Sequence, residues 1–240
     1  MLFDCIVAGS HLRFDGVRQR PQHILTRLGR RVPVLVVEEP FLSLRDADEI
    51  EARGEISLLR PRRADLAAPM WDDRSIAAVR DWVAGRRPLV WLYTPLAEPL
   101  AHAFPDAPVV YDRMDDLAAF AMAPDDLSRR ETIVLERAGL VFAGGRSLYE
   151  RVRGAGSKVR LYPSGVEFAH FAAARDVAPH PLFAHLKSPV CGYAGVIDER
   201  IDFAMLAALA TRPVEVVLVG PVVKLDGTAL PRRTNVHFTG

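Results

Sequence analysis

Short apolar runs recur along the first two thirds of the chain, at residues 2–8, 32–37, 56–59, 89–93, 109–111, 140–143 and 159–162. Helix-period segments lie between most of them. Strand alternating with helix predicts an α/β fold built on a parallel sheet with helices on both faces. Pro21 suits the first turn of a helix running to about Arg30. Pro124 and Asp125 open another, in which Leu127, Ile133, Val134 and Leu135 form an apolar stripe and Gly139 supplies the stop.

From Pro163 the pattern changes. Pro163, Pro179, Pro181 and Pro189 punctuate a stretch with little strand signal, as a linker between domains would show. A second unit follows, with strands expected at 190–193, 214–219 and 236–238 and a helix at 202–210. The expected organisation is a complete Rossmann-like domain over 1–162, a linker over 163–188 and a partial second Rossmann-like domain over 189–240. A strand, helix, strand, strand order makes half of a doubly wound domain. The expectation is therefore a second domain cut short, with an open sheet edge that a complementing chain would cover.

Half of the 240 residues are hydrophobic, enough for a sizeable core, and the formal net charge is only +1. That balance argues against nucleic acid as a partner, because such surfaces carry a concentrated basic excess. Arginines cluster locally at Arg60, Arg62 and Arg63, at Arg86 and Arg87, and at Arg151 and Arg153, and are read as solvated ends or as a peripheral contact with an anionic membrane. Cys5 and Cys191 lie in apolar runs, which suits core packing and a reducing cytosol. No stretch reaches the roughly twenty apolar residues of a membrane span. The expected location is cytoplasmic, with any membrane contact peripheral at the inner face.

Candidate chemistry concentrates where strands run into helices, since loops there present unpaired N–H groups and a positive dipole end. Two such loops stand out. The first holds Gly9, His11 and Gly16, followed by Arg18, Arg20 and His23; the second holds Gly192 and Gly195, followed by Asp198 and Arg200. Glycine lets backbone approach a diphosphate, and arginine offers paired donors to its oxygens. The carboxylates of Asp112, Asp115 and Asp116 invite a metal reading, set against a cap at the start of a helix at 117–120. Asp112, at a strand end, would orient an acceptor hydroxyl. The histidines show no zinc spacing, and no nucleophile elbow or phosphate loop is present.

Several of these segments resemble GT-B glycosyltransferases, at the level of glycosyltransferase family four. Gly16 to Leu25 resembles the glycine loop and first helix that meet the donor diphosphate or the acceptor. Pro163-Ser164-Gly165-Val166-Glu167 resembles the turn into the second domain. Gly195 to Arg200 resembles the segment that supplies cations to the donor diphosphate, with Val196 where the arginine usually stands. Gly220 and Pro221 resemble the turn near the nucleotide base, with Lys224 near the same site. The chain departs from the family at Thr94, where many members place a histidine that positions the reacting sugar, so no catalytic residue is named.

The resemblance implies a GT-B fold, a retaining glycosyltransferase, a nucleotide-diphosphate sugar as donor substrate and a glycan or lipid-linked precursor of the cell envelope as acceptor, with no cofactor and no metal. Within it, Gly9, Gly16, Arg18, Arg20, Gly195 and Arg200 fall on the diphosphate, Gly220, Pro221 and Lys224 on the nucleotide, and His11, His23 and Asp112 on the acceptor. Two other readings stand beside it: a non-catalytic partner or remnant, and a sugar-nucleotide epimerase on the same fold.

Overall fold

The computed structural model describes residues 2–65, 71–120, 123–187, 189–223, 225 and 230–239. The chain divides into two compact units, Met1–Val166 and Glu167–Gly240.

Unit 1 opens with β1 (Cys5–Ser10), α1 (Arg20–Gly29) and β2 (Val34–Glu38). An excursion follows, of β3 (Phe41–Leu42), β4 (Ile50–Arg53), β5 (Ile56–Leu59) and β6 (Arg62–Arg63). Then come α2 (Asp73–Val83), β7 (Pro88–Leu92), α3 (Glu98–Ala103), β8 (Val109–Arg113), α4 (Leu127–Arg137), β9 (Leu140–Ala143), α5 (Arg146–Val152) and β10 (Val159–Leu161). Eight strands form one sheet in the order β10-β9-β8-β7-β1-β2-β5-β4, and β3 pairs with β6 in a separate ribbon.

Every pairing in the large sheet is parallel except that of β4 with β5. The antiparallel edge is not expected from the pattern. It arises from a two-residue turn in which Arg53 faces Ile56 and Gly54 takes φ +57°, a left-handed conformation that costs glycine little.

Alternation along each strand divides the core in two. Cys5 and Val7 of β1 point with Leu35 and Val37 of β2 into a layer closed by Ile76 and Val79 of α2, Leu100 of α3 and Val134 of α4. Ile6 and Ala8 point the other way, with Val34, Val36 and Leu58, under Leu25 of α1. A parallel sheet buried in this manner explains why its strands read as continuous apolar runs. The two halves of the sheet diverge from β1, since β2 lies on one side and β7 on the other. The carboxyl ends of β1 and β7 therefore flank the topological switch point, where open α/β sheets hold ligands.

Unit 2 contains α6 (Phe168–Ala172), β11 (Val190–Ala194), α7 (Phe203–Leu209), β12 (Glu215–Val219) and β13 (Val236–Phe238). Its three strands are parallel in the order β11-β12-β13. Ile197, Leu206, Val216 and Leu218 make its buried centre. Asp202 caps α7 by accepting from Met205 N at 2.9 Å, as a helix-starting aspartate should.

Candidate functional site

The β1–α1 connection is built by side chains that satisfy backbone. Ser10 Oγ accepts from Leu12 N at 3.1 Å, and Glu38 at the end of β2 accepts from Phe14 N at 2.6 Å. Gln22, buried in the first turn of α1, accepts from Gln19 N at 3.0 Å and donates to the carbonyls of Arg13 and Val17, each at 3.2 Å. One amide thus ties the loop to the helix. Pro21 beside it occupies the position where a missing N–H costs nothing.

At the switch point the polar groups lie close together. Arg20 Nε donates to both oxygens of Asp112, at 2.9 and 3.1 Å, and its Nη1 donates to the Tyr162 carbonyl at 2.6 Å. Asp112 is fully buried. Burial pushes its pKa up, against the opposing pull of Arg20, and the Trp91 indole leans the same way as Arg20 although Trp91 Nε1 meets no acceptor in hydrogen-bond geometry. Tyr93, 1% exposed, lies beside this pair, and its hydroxyl is buried without a partner.

His11 comes in from the β1 loop with 15% of its side chain exposed. Burial lowers its pKa more than Asp115 and the Tyr93 backbone raise it, so the imidazole is neutral near pH 7. Its Nδ1 has no hydrogen-bond partner, and its Nε2 lies 4.0 Å from Asp115.

Several of the expected site residues have partners within the protein. Arg20 and Asp112 are both expected to face ligand, yet they are partners of each other in the interior. Gly9 lies within β1, where a Cβ would come 2.5 Å from Ala97 Cβ, so its bareness serves the approach of the 3-10 turn Pro95–Ala97. Gly16 sits in an exposed turn whose N–H donates to the Arg13 carbonyl at 3.0 Å. Arg18 is exposed and makes no hydrogen bond or ion pair among the described residues. His23 stands on α1 beside Arg27, which donates to the His23 carbonyl at 2.8 Å.

Asp116 does not cap the following 3-10 turn with its side chain, as its carboxylate is held by Arg113 and Arg151. Arg63, expected at a solvated surface, is buried among Asp48, Asp72 and Ser75. Thr94, fully buried, caps the Pro95–Ala97 turn by accepting from Leu96 N at 3.2 Å. Among the described residues no cluster of three or more His, Cys, Asp or Glu side chains suits a metal. No helix among them is long and apolar enough to cross a membrane.

A shallow pocket of about 380 Å³ lies beyond β2 and β5, lined by Arg13, Asp15, Gly16, Glu38, Phe41 and Arg60. Its arginines face inward to carboxylates. Arg13 and Arg60 both reach Glu38, at 3.2 and 3.1 Å, and Arg60 also binds Asp15 at 2.5 Å. Their charge is neutralised by the protein, which leaves little of it for an anion there.

In unit 2, Gly195 and Gly220 pack backbone against backbone at the ends of β11 and β12. A Cβ on Gly220 would lie 2.0 Å from the Gly195 carbonyl oxygen, and both take positive φ, +155° and +138°. Ile197 N donates to the Pro221 carbonyl at 2.9 Å, continuing the pairing past the strands. Arg200 folds onto Asp198, with Nε 2.9 Å from Oδ1 and Nη2 2.7 Å from Oδ2. Lys224 lies outside the described residues.

The sequence matches no protein-family model and no curated protein. Solved structures do match. One is the E. coli trehalose-6-phosphate protein bound with UDP-2-fluoro glucose, at 14% identity and TM-score 0.59, over 98% of this chain and 73% of that one. Another is Anabaena Alr3699/HepE in complex with UDP and glucose, at 15% identity and TM-score 0.63, over 98% and 69% of the two chains. A third is the α,α-trehalose 6-phosphate synthase of Burkholderia multivorans, at 16% identity and TM-score 0.55, over 93% and 64%. At such identities the likeness is one of fold, and it shows the α/β, GT-B-like architecture of this chain.

Proposed function

We propose that this chain works as a glycosyltransferase that moves a sugar from a nucleotide-diphosphate donor to a hydroxyl of a glycan or glycolipid precursor, with retention at the anomeric carbon. The observation that carries the reading is the polar cluster of His11, Arg20, Tyr93, Asp112 and Asp115 at the switch point, on a fold shared with proteins solved with UDP-2-fluoro glucose or with UDP and glucose. In this reading unit 1 takes the acceptor and unit 2 the donor. Arg200 meets the diphosphate by exchanging Asp198 for phosphate oxygens, and the Gly195 and Gly220 backbones leave room for the nucleotide. Stabilising the charge that develops on the departing diphosphate is the largest contribution a protein makes to such a transfer.

Calorimetric titration of the chain with UDP-glucose, followed by assay of UDP release with candidate acceptors, tests the reading. Saturable binding that weakens about tenfold or more in Arg200→Ala supports it, in keeping with the loss of a charge-assisted contact. No binding of any nucleotide sugar sinks it. The pairing of Arg20 with Asp112 and of Arg200 with Asp198 favours, as a second reading, a non-catalytic relative of such enzymes. That chain would bind acceptor and release no nucleotide.

A further inference from the structure

Three carboxylates crowd the end of β8, and two of them are consumed inside the protein. Asp112 holds Arg20, and Asp116 holds Arg113 at 3.0 Å and Arg151. Asp115 makes no hydrogen bond among the described residues, and its charged contact there is with the His11 ring. Its side chain is 35% exposed, so it faces both the protein and the solvent.

The 4.0 Å between His11 Nε2 and Asp115 Oδ2 is too long for a hydrogen bond. A neutral imidazole beside an uncompensated carboxylate gives the site acceptors and little positive charge. An anion would meet repulsion there. Hydroxyl groups suit it: each donates one hydrogen, and neighbouring hydroxyls on a sugar ring are spaced to reach two acceptors a few ångströms apart. Asp115 is open to solvent on one side, so a sugar's hydroxyls can take the place of water at its oxygens beside the imidazole.

We propose that His11 and Asp115 form a subsite that grips two adjacent hydroxyls of a neutral sugar, the carboxylate accepting from one and an imidazole nitrogen from the other. Tyr93 positions the histidine, because its backbone lies against the ring while its own side chain is locked beside Arg20 and Asp112. Asp115 is then the specificity-determining residue, as it is the group whose charge selects hydroxyls over phosphates. Calling that sugar the acceptor rests on the glycosyltransferase reading; the subsite itself does not.

The test follows the histidine side-chain nitrogens of the 15N-labelled chain by NMR while glucose, galactose, mannose and N-acetylglucosamine are added separately. At least one of these sugars is expected to shift the His11 resonances saturably, leaving His102 on α3 unmoved. Asp115→Asn should weaken that binding about tenfold, the scale of losing a hydrogen bond to a charged group. His11→Asn, read through the indole signal of Trp91, gives a second measure should Asp115→Asn unfold the chain. Silence at His11 with every sugar, or unchanged affinity in both variants, overturns the subsite. UDP-glucose binding is measured on the same samples. If it is absent while His11 responds, the glycosyltransferase reading fails and the subsite stands; if it is present while His11 is silent, the reverse holds.

Discussion

At the scale of single residues, the interior of unit 1 is governed by what its charged groups cost. Asp112 and Arg20 are hidden from water and hold each other, Arg20 Nε lying 2.9 Å from Asp112 Oδ1. Removing one leaves the other buried and alone, a change that typically costs about 3–5 kcal/mol. Asp112→Ala should therefore lower stability by about that amount in urea denaturation, far more than a surface carboxylate would. Glu39, just past β2, behaves differently. Burial lifts its pKa to about 7 even though Arg13 pulls it down. The folded chain then binds a proton more tightly than the unfolded chain, whose value is 4.5, so stability is fullest below that pH and is lost as pH rises through 7. Glu39→Gln should flatten this fall, measured as the difference in Tm between pH 5 and pH 8. The Arg18 to His23 run reads in sequence as a cluster of cations, but the residue that shapes the loop is Gln22, whose three hydrogen bonds only a folded loop reveals.

At the scale of elements, the β1–α1 loop and the β7–α3 turn flank the switch point, and each is held by a specific device. Gln22→Ala would leave Gln19 N and the carbonyls of Arg13 and Val17 without their partner. A loss of about 1–3 kcal/mol is expected, with faster proteolytic cutting at residues 13–19 than in the parent chain. Gly9 packs under the Pro95–Ala97 turn, and Gly9→Ala should cost about 1–3 kcal/mol by overpacking, read as a lower Tm. Gly9 reads as ligand chemistry in the sequence because a glycine at a strand end serves both purposes, whereas Gln22 carries no sequence signal of its role. The strand and helix boundaries, by contrast, were legible to within a few residues. Expected strands at 56–59, 140–143 and 236–238 fall on β5, β9 and β13 without change, since strongly apolar runs bounded by turns have little alternative. The short β3, β4 and β6 were not, because two- to four-residue strands at an edge carry few buried positions.

At the scale of the whole molecule, the two units differ in how much apolar side chain they bury. Unit 1 has two layers of core on either side of its sheet, whereas unit 2 is built around Ile197, Leu206, Val216 and Leu218. In unit 2, Phe168, Phe171 and Met205 are more than 60% exposed. Opening free energy follows buried apolar contact, so amides of β11, β12 and β13 should exchange with deuterium well before those of β1, β2 and β7. Uniform protection across both sheets would contradict this assignment of the cores.

Apolar periodicity by itself determined the α/β class and the alternation of the longer, parallel strands with helices, because burial on both faces of a sheet leaves a continuous signature in the chain. It also marked the segments that end at the switch point. Which side chains meet there was decided by the tertiary structure alone. Arg20 and Asp112 are 92 residues apart and pair only once β1 and β8 are placed in one sheet, and His11 finds Asp115 by the same route. A local sequence records which donors and acceptors are available; the partners that use them up, and the few that are left for a ligand, depend on contacts made across the fold.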